Sequence, residues 1–260
     1  GGLSALEGES ALTLRGDLSL SQEMTLSAKV SLPLISERSG VPVTNAGLEG
    51  VRSDSYNRDD SREIRLDHLF LESRGTANRS LHYRLKGGLL ETEYAGLGFE
   101  TLYWPYQSRL AAGLSAAAVQ QRATGTPLEL LDYSVLTGHA SLYWASPLAN
   151  IDAALHLGRY LAGDWGGTLE LRRTLSNGWM YGIYTGLTDA SQGRFGLDNT
   201  EHGLFLRVPL DVSDGGHGLQ TRYDVDVRAV PRDAGARLDS LGSDIWWDLR
   251  EARFDVFRGY

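Results

Sequence analysis

The stretch Leu219-Gln-Thr-Arg-Tyr-Asp-Val-Asp-Val-Arg228 decides the fold. In an extended chain successive side chains point to opposite faces. Leu219, Thr221, Tyr223, Val225 and Val227 then share one face. Gln220, Arg222, Asp224, Asp226 and Arg228 share the other. A helix would scatter both sets around its circumference, so the segment predicts a strand with one apolar and one charged face.

Working outward, the same period recurs. Met24, Leu26, Ala28, Val30 and Leu32 alternate with Glu23, Thr25, Ser27, Lys29 and Ser31. Leu12, Leu14, Leu18 and Leu20 alternate with Thr13, Arg15, Asp17 and Ser19. Leu81, Tyr83 and Leu85 alternate with His82, Arg84 and Lys86, and Leu204, Leu206, Val208 and Leu210 with Phe205, Arg207, Pro209 and Asp211. Weaker alternation marks 64–73, 93–104, 109–121, 133–144, 151–162, 168–176, 179–188 and 250–260. This predicts roughly 13 strands of about 9–13 residues each. Globular strands average about 5–6 residues, whereas a tilted crossing of a bilayer takes about 9–11.

Composition agrees with that reading. The chain has 260 residues, no cysteine and a net charge of -8. Disulfides and thiol chemistry are excluded. The basic excess of a nucleic-acid binder is missing. No apolar run approaches the ~20 residues of a membrane helix, and mean hydropathy is -0.26. A membrane barrel is near-neutral in bulk because only alternate residues face lipid. The 31 glycines exceed the average share and fit turns and crowded strands. The expected fold is therefore all-β: a single domain over 1–260, a transmembrane antiparallel β-barrel of the bacterial outer membrane with roughly 12–14 strands.

The connections 19–23, 104–108, 145–150 and 176–178 are short and rich in turn formers. Those at 33–63, 122–132, 189–201 and 231–249 are longer and polar, with 33–63 a candidate plug. Alternation of this kind fits periplasmic turns and external loops. Parity then leaves one strand lacking, to be supplied near residues 1–10 or by another segment or chain. Tyr103, Trp104, Tyr106, Tyr143, Trp144, Tyr160, Trp165, Trp179, Tyr181, Trp246 and Trp247 lie near strand ends, as interfacial aromatics do. The end, Ala252 to Tyr260, predicts a closing strand with a terminal aromatic.

A family resemblance rests on particular blocks. These are Thr137-Gly-His-Ala-Ser-Leu-Tyr-Trp144, Gly158-Arg-Tyr-Leu-Ala-Gly-Asp-Trp-Gly-Gly167, Ser176-Asn-Gly-Trp179, Leu187-Thr-Asp189 and His202-Gly-Leu-Phe-Leu-Arg-Val-Pro-Leu210. Tyr94 to Arg109 fits as well. The chain resembles the YjbH/GfcD family of bacterial exopolysaccharide and capsule proteins, best over 90–215. Family members are usually longer, so the chain resembles either their C-terminal barrel region or a short relative. It implies an outer-membrane barrel that takes part in polysaccharide export. It carries over no catalytic residue.

Chemistry is sparse. His139 and Ser141 share a face, as the base and nucleophile of an outer-membrane lipid or ester hydrolase would, but no third group orients them. A polar lumen row with Thr137 and Tyr143 is the favoured reading, since lipid hydrolysis requires access from the membrane side. The six histidines lack two-His helical metal spacing, and Asp224 and Asp226 sit among too many cations for a metal site. No cofactor is expected. Asp164 and Trp165, among Gly158, Gly163, Gly166 and Gly167, read either as a glycan contact or as a tight connection.

The leading expectation is a non-enzymatic export pore or pore component. Its lumen candidates are Arg84, Lys86, His139, Tyr160, Asp164, Trp165, Glu170, Arg172, Arg207, Asp211, Arg222, Asp224, Asp226 and Arg228. Opposite charges on neighbouring strands would pair in ladders. The expected partners are outer-membrane lipid, an exopolysaccharide chain, and other secretion subunits or a second chain completing the barrel. Nucleic acid is not among them. The competing readings are the hydrolase and a non-conducting scaffold.

Overall fold

The computed structural model describes residues 8–37, 51, 64–123, 126, 128–147, 150–175, 177–189, 201–214, 219–229, 233–238 and 245–256. Twelve strands follow chain order: β1 (Gly8–Ser19), β2 (Met24–Glu37), β3 (Arg65–Asn78), β4 (Leu81–Glu91), β5 (Tyr94–Tyr103) and β6 (Leu110–Arg122). Then come β7 (Leu130–Ala145), β8 (Ile151–Arg159), β9 (Trp165–Thr174), β10 (Met180–Thr188), β11 (Glu201–Asp214) and β12 (Leu219–Ala229). Among the described residues one helix, α1 (Ile245–Val256), follows them. Each strand pairs antiparallel with its sequence neighbours, and β1 pairs with β12 from Gly8↔Ala229 to Leu18↔Leu219. The sheet is a closed barrel and needs no second chain to complete it.

Closure removes both free edges, where unpaired N–H and C=O groups would otherwise remain. Local chemistry sets the connections. At one rim, Ser21 Oγ accepts from the Met24 N–H (3.1 Å), Asn78 Oδ1 from Leu81 N–H (3.0 Å) and Asn177 Oδ1 from Trp179 N–H (3.1 Å). Such side chains imitate a backbone turn and let strands reverse in a few residues. The opposite rim carries the longer connections, the start of β1 and the end of β12. Two connections there, Thr92–Glu93 and 160–164, are short, against the simple alternation. Pro209 cannot donate to a ladder, and the β11–β12 register shifts beside it, between Pro209 and Asp211.

The faces segregate as the period-two pattern predicts. Outward stand Leu26, Leu71, Leu85, Leu97, Phe99, Leu114, Leu136, Leu142, Leu157 and Ile183, all exposed. Inward stand buried Thr13, Ser27, Glu72, Arg84, Lys86, Glu100, His139, Asp152 and Glu170. The core is therefore inside the barrel, and among the described residues it has two apolar clusters. Near the long-connection rim, Val51, Phe70, Leu90, Tyr94, Leu161 and Leu238 pack together. Near the short-turn rim, Leu102, Ala111, Tyr143 and Ala154 pack on Ile245, Trp246 and Trp247 of α1.

Two expectations need correction. The C-terminal segment 250–260 does not add a strand, since α1 takes it as far as Val256. Glu251, Ala252 and Arg253 are good helix formers, and the aromatic alternation around them misled. The missing strand of the parity argument disappears with it, because twelve strands close on themselves. Of the candidate plug, residues 33–37 extend β2, Val51 lies in the lumen with its carbonyl near Tyr94 Oη (3.4 Å), and most of the rest lies outside the described residues.

Candidate functional site: a lumen closed by its own helix

Charged side chains on the inner wall pair between neighbouring strands because register places them side by side. Arg84 of β4 faces Glu100 of β5, and its Nη2 donates to Glu100 Oε2 at 2.6 Å. Lys86 faces Glu72 of β3, Nζ to Oε2 3.8 Å, and lies 4.8 Å from the Phe70 ring. Arg172 of β9 donates to Glu170 Oε1 on its own strand, Nη2 to Oε1 2.7 Å, and is in register with Asp152 of β8. Among the described residues, opposite charges thus pair across strands at Arg84–Glu100 and Lys86–Glu72 and along a strand at Arg172–Glu170.

The helix plugs into this wall. Arg84 Nη1 donates to Asp248 Oδ2 at 2.5 Å. Glu100 Oε1 accepts the Ile245 N–H at 2.7 Å, capping an N-terminal donor of the helix. Arg250 gives two hydrogen bonds to Asp152, Nη2 to Oδ1 2.9 Å and Nε to Oδ2 3.2 Å. Trp246 stacks on Tyr143 with ring centroids 5.4 Å apart at 18°, and meets Trp104 at 4.5 Å and 57°. The Arg172 guanidinium lies 4.0 Å from the Trp247 ring. Sequence reasoning placed Trp246 and Trp247 at a membrane interface and did not single out Asp248, Arg250, Glu100 or Glu72. The run Asp248-Leu-Arg-Glu-Ala-Arg253, dense in helix formers, was the available signal.

The Gly158–Gly167 block has a structural task. A Cβ on Gly158 would sit 2.0 Å from the Gly138 carbonyl oxygen, so β7 and β8 approach there as only glycine allows. Gly163 adopts φ 83°, turning the chain so that Tyr160 N–H reaches the Asp164 carbonyl at 2.8 Å. Asp164 Oδ2 accepts the Gly235 N–H at 2.8 Å, and Leu161 N–H donates to the Ala236 carbonyl at 2.9 Å. The connection thereby straps down 233–238, the segment between β12 and α1. Burial raises the Asp164 pKa. The Gly235 N–H and the Thr188 hydroxyl oppose that rise, and nearby Asp189 adds to it.

The remaining candidates separate. Tyr160 and His139 are buried and in edge contact at 4.7 Å, with Tyr160 Oη 2.7 Å from Thr168 Oγ1. Asp224 is buried opposite Thr13, and Arg207 is half-buried, in register with Asp226. Trp165 does not line the lumen: it is 61% exposed and shares the outer face with Leu169 and Leu171. The side chains of Asp211, Arg222, Asp226 and Arg228 lie outside the described residues, although their backbones lie in β11 and β12. His139 does not pair with Ser141. Ser141 Oγ lies 2.8 Å from Nδ1 of His156, which is wholly buried. Among the described residues no group of three or more His, Asp or Glu could hold a metal.

The closed barrel with a polar, filled lumen is the setting for the comparisons. The model of the YjbH family, exopolysaccharide biosynthesis proteins, matches residues 4–243. The chain belongs to the YjbH family. A relative from Escherichia coli K12, described as the uncharacterized lipoprotein YjbH, is 36% identical over 156 residues. That match covers 58% of this chain and 22% of the relative, so this YjbH-family chain corresponds to a minor part of that protein's length. The Gly158–Gly167 block, on which the sequence resemblance leaned, is the strap-holding connection of the barrel.

Proposed function

We propose that this chain is a barrel of the bacterial outer membrane that takes part in exopolysaccharide or capsule export. In this reading it is a non-enzymatic pore component, and the described conformation is its closed state. The observation that carries this is the inverted partition of side chains: leucines outside, paired charges inside. Fully exposing one Leu to water costs roughly 1.5–3 kcal/mol, and the outer face presents many. A bilayer covers that face at no such cost. Tyr103, Tyr106, Trp144, Trp179 and Tyr181, all outward near the short-turn rim, suit a headgroup belt. The lipoprotein description of the Escherichia coli relative suits an envelope location.

The family description supports a role with exopolysaccharide, and a lumen of hydroxyls, carboxylates and guanidinium groups suits a hydrated glycan held weakly at many points. Loss of the chain should lower secreted exopolysaccharide. An unchanged amount in the deletion strain refutes the reading. One observation favours the scaffold alternative: α1 and 233–238 fill the lumen. Planar-bilayer recordings of the purified chain separate the two. A trace that stays closed after α1 is loosened argues for a scaffold.

A further inference from the structure

We propose that α1 occupies a carbohydrate-binding site on the inner wall, and that the ligand of that site is a glycan of uncharged pyranose units. The proposal rests on the export reading and names the site and ligand class within it.

The wall around α1 has the parts of a sugar site. Tyr143 of β7 stacks on the Trp246 indole, and Trp104, just beyond β5, meets the same indole at a tilt. Withdrawal of Trp246 would leave both wall rings to a ligand. A pyranose has a flat face of C–H groups of similar breadth, and such faces pack on aromatic rings as other apolar surfaces do. The polar contacts made to α1 are also those that hydroxyls take. Glu100 accepts one N–H, Asp152 accepts two from one planar group, and Arg84 donates from Nη1. Vicinal hydroxyls present paired donors and acceptors at comparable spacing, so each of these wall groups would find a substitute partner on a sugar.

Charge balance selects the ligand class. When α1 withdraws, Arg84 retains Glu100, and Arg172 retains Glu170 and stands in register with Asp152. Arg84 and Arg172, the two wall guanidinium groups beside α1 among the described residues, each keep a carboxylate neighbour, so an anionic sugar meets repulsion where it meets their attraction. An uncharged sugar takes hydrogen bonds from both signs without that conflict. The wall also offers several modest contacts at separate residues, as a polymer in transit requires. The helix is thus an internal competitor, and glycan and helix exclude one another.

The test uses the full chain in planar bilayers, with Trp246→Ala/Arg250→Ala loosening the helix. The double variant should open more often than the parent chain. Maltohexaose, an uncharged probe, should block its current, and a hexamer of galacturonate should block at least tenfold less well. Tyr143→Ala on that background should weaken the maltohexaose block about tenfold, the effect of one lost ring contact, while Tyr143→Phe retains it. Heat-modifiable migration shows that each variant is folded, and Trp246→Ala alone replaces a double variant that is not. Saturable tryptophan fluorescence on adding maltohexaose gives a reading that needs no current. No block and no fluorescence response in a folded, loosened variant overturns the proposal, as does equal block by both hexamers or a block insensitive to Tyr143→Ala. Failure of the export reading looks different: maltohexaose still binds, but deletion of the chain leaves secreted exopolysaccharide unchanged.

Discussion

Asp152 on β8 holds Arg250 of α1 through both carboxylate oxygens, at 2.9 and 3.2 Å. Both side chains are largely buried, at 4% and 14% exposure. Removing one partner leaves the other as a buried charge without its main counterion, a loss of about 3–5 kcal/mol where the site stays dry. Arg250→Ala should therefore free the helix more than Trp246→Ala of comparable truncation does, since Asp152 then draws water into the short-turn end. Limited proteolysis of the segment between β12 and α1 measures this. Cleavage should rise by at least an order of magnitude in Arg250→Ala. A cleavage rate equal to that of the parent chain removes the pair from any closing role.

Asp164 makes the strap pH-dependent. Its pKa is raised, chiefly by burial, above the ordinary carboxylate value. A group with a raised acid pKa favours the folded state while protonated. The fold that buries Asp164 under 233–238 is then firmest below about pH 4, the ordinary carboxylate value. It weakens as pH rises through the raised value and is constant above it. Asp164→Asn keeps an acceptor for the Gly235 N–H and has no charge to desolvate. It should flatten the pH profile of strap protection, measured by hydrogen exchange at Leu161 and Gly235. A profile of the same shape in Asp164→Asn assigns the dependence to another group.

Gly158→Ala tests how closely β7 and β8 must approach. The added Cβ would meet the Gly138 carbonyl oxygen at 2.0 Å and the His139 Cα at 2.8 Å. Both are backbone atoms and cannot swing aside, so overpacking costs at least the usual 1–3 kcal/mol or so. The expected result is a barrel that loses its heat-modifiable migration, or keeps it only at lower temperature. Normal migration up to the parental midpoint counts against the fit described for this block.

Much of the barrel was legible because period two is a local signal. Val225 and Asp226 declare their faces without reference to any distant residue. The short turns were equally legible, since Asn78 and Asn177 make turns with their own neighbours. What the sequence did not reveal depends on distant partners. Tyr143 and Trp144 are adjacent aromatics near one strand end. One packs against the helix in the lumen and the other stands outside at 46% exposure, a division fixed by strand parity and by α1. Trp246 and Trp247 look interfacial in isolation and become core only because the barrel leaves a space for them. Ser141 finds His156 on the next strand in place of His139 on its own, because the β7–β8 register places residues 141 and 156 opposite one another. Asp164 looks like a ligand-facing acid until residue 235 occupies it.

The Ser141–His156 pair invites a hydrolase assignment, and its surroundings argue against one. His156 is wholly buried, with Tyr143 in edge contact at 5.8 Å, so the imidazole is shielded from an ester in the described conformation. The pair acts as a buried polar bond between β7 and β8. Ser141→Ala should lower stability by about 1–3 kcal/mol, because the imidazole loses its partner in a dry site. It should leave any hydrolysis of lipid or sugar esters unchanged from the parent chain. A parent chain that cleaves such an ester, and loses that activity in Ser141→Ala, would reverse the non-enzymatic reading.

Leu114 decides between a bilayer and water outside the barrel. It lies on β6, faces outward and is 63% exposed. In a soluble barrel, Leu114→Arg would remove an exposed apolar group and leave stability within about 0.5 kcal/mol. On a lipid-facing strand the same change costs roughly 2–4 kcal/mol near the midplane and less toward either interface. Leu110, also outward and exposed, lies at the short-turn end of the same strand. Leu110→Arg should therefore cost less than Leu114→Arg when both are unfolded reversibly from lipid vesicles. A depth-dependent difference of this sign supports a barrel embedded across the bilayer. Equal, negligible costs at both positions, together with a monomer that remains dispersed without detergent, would place the outer face in water.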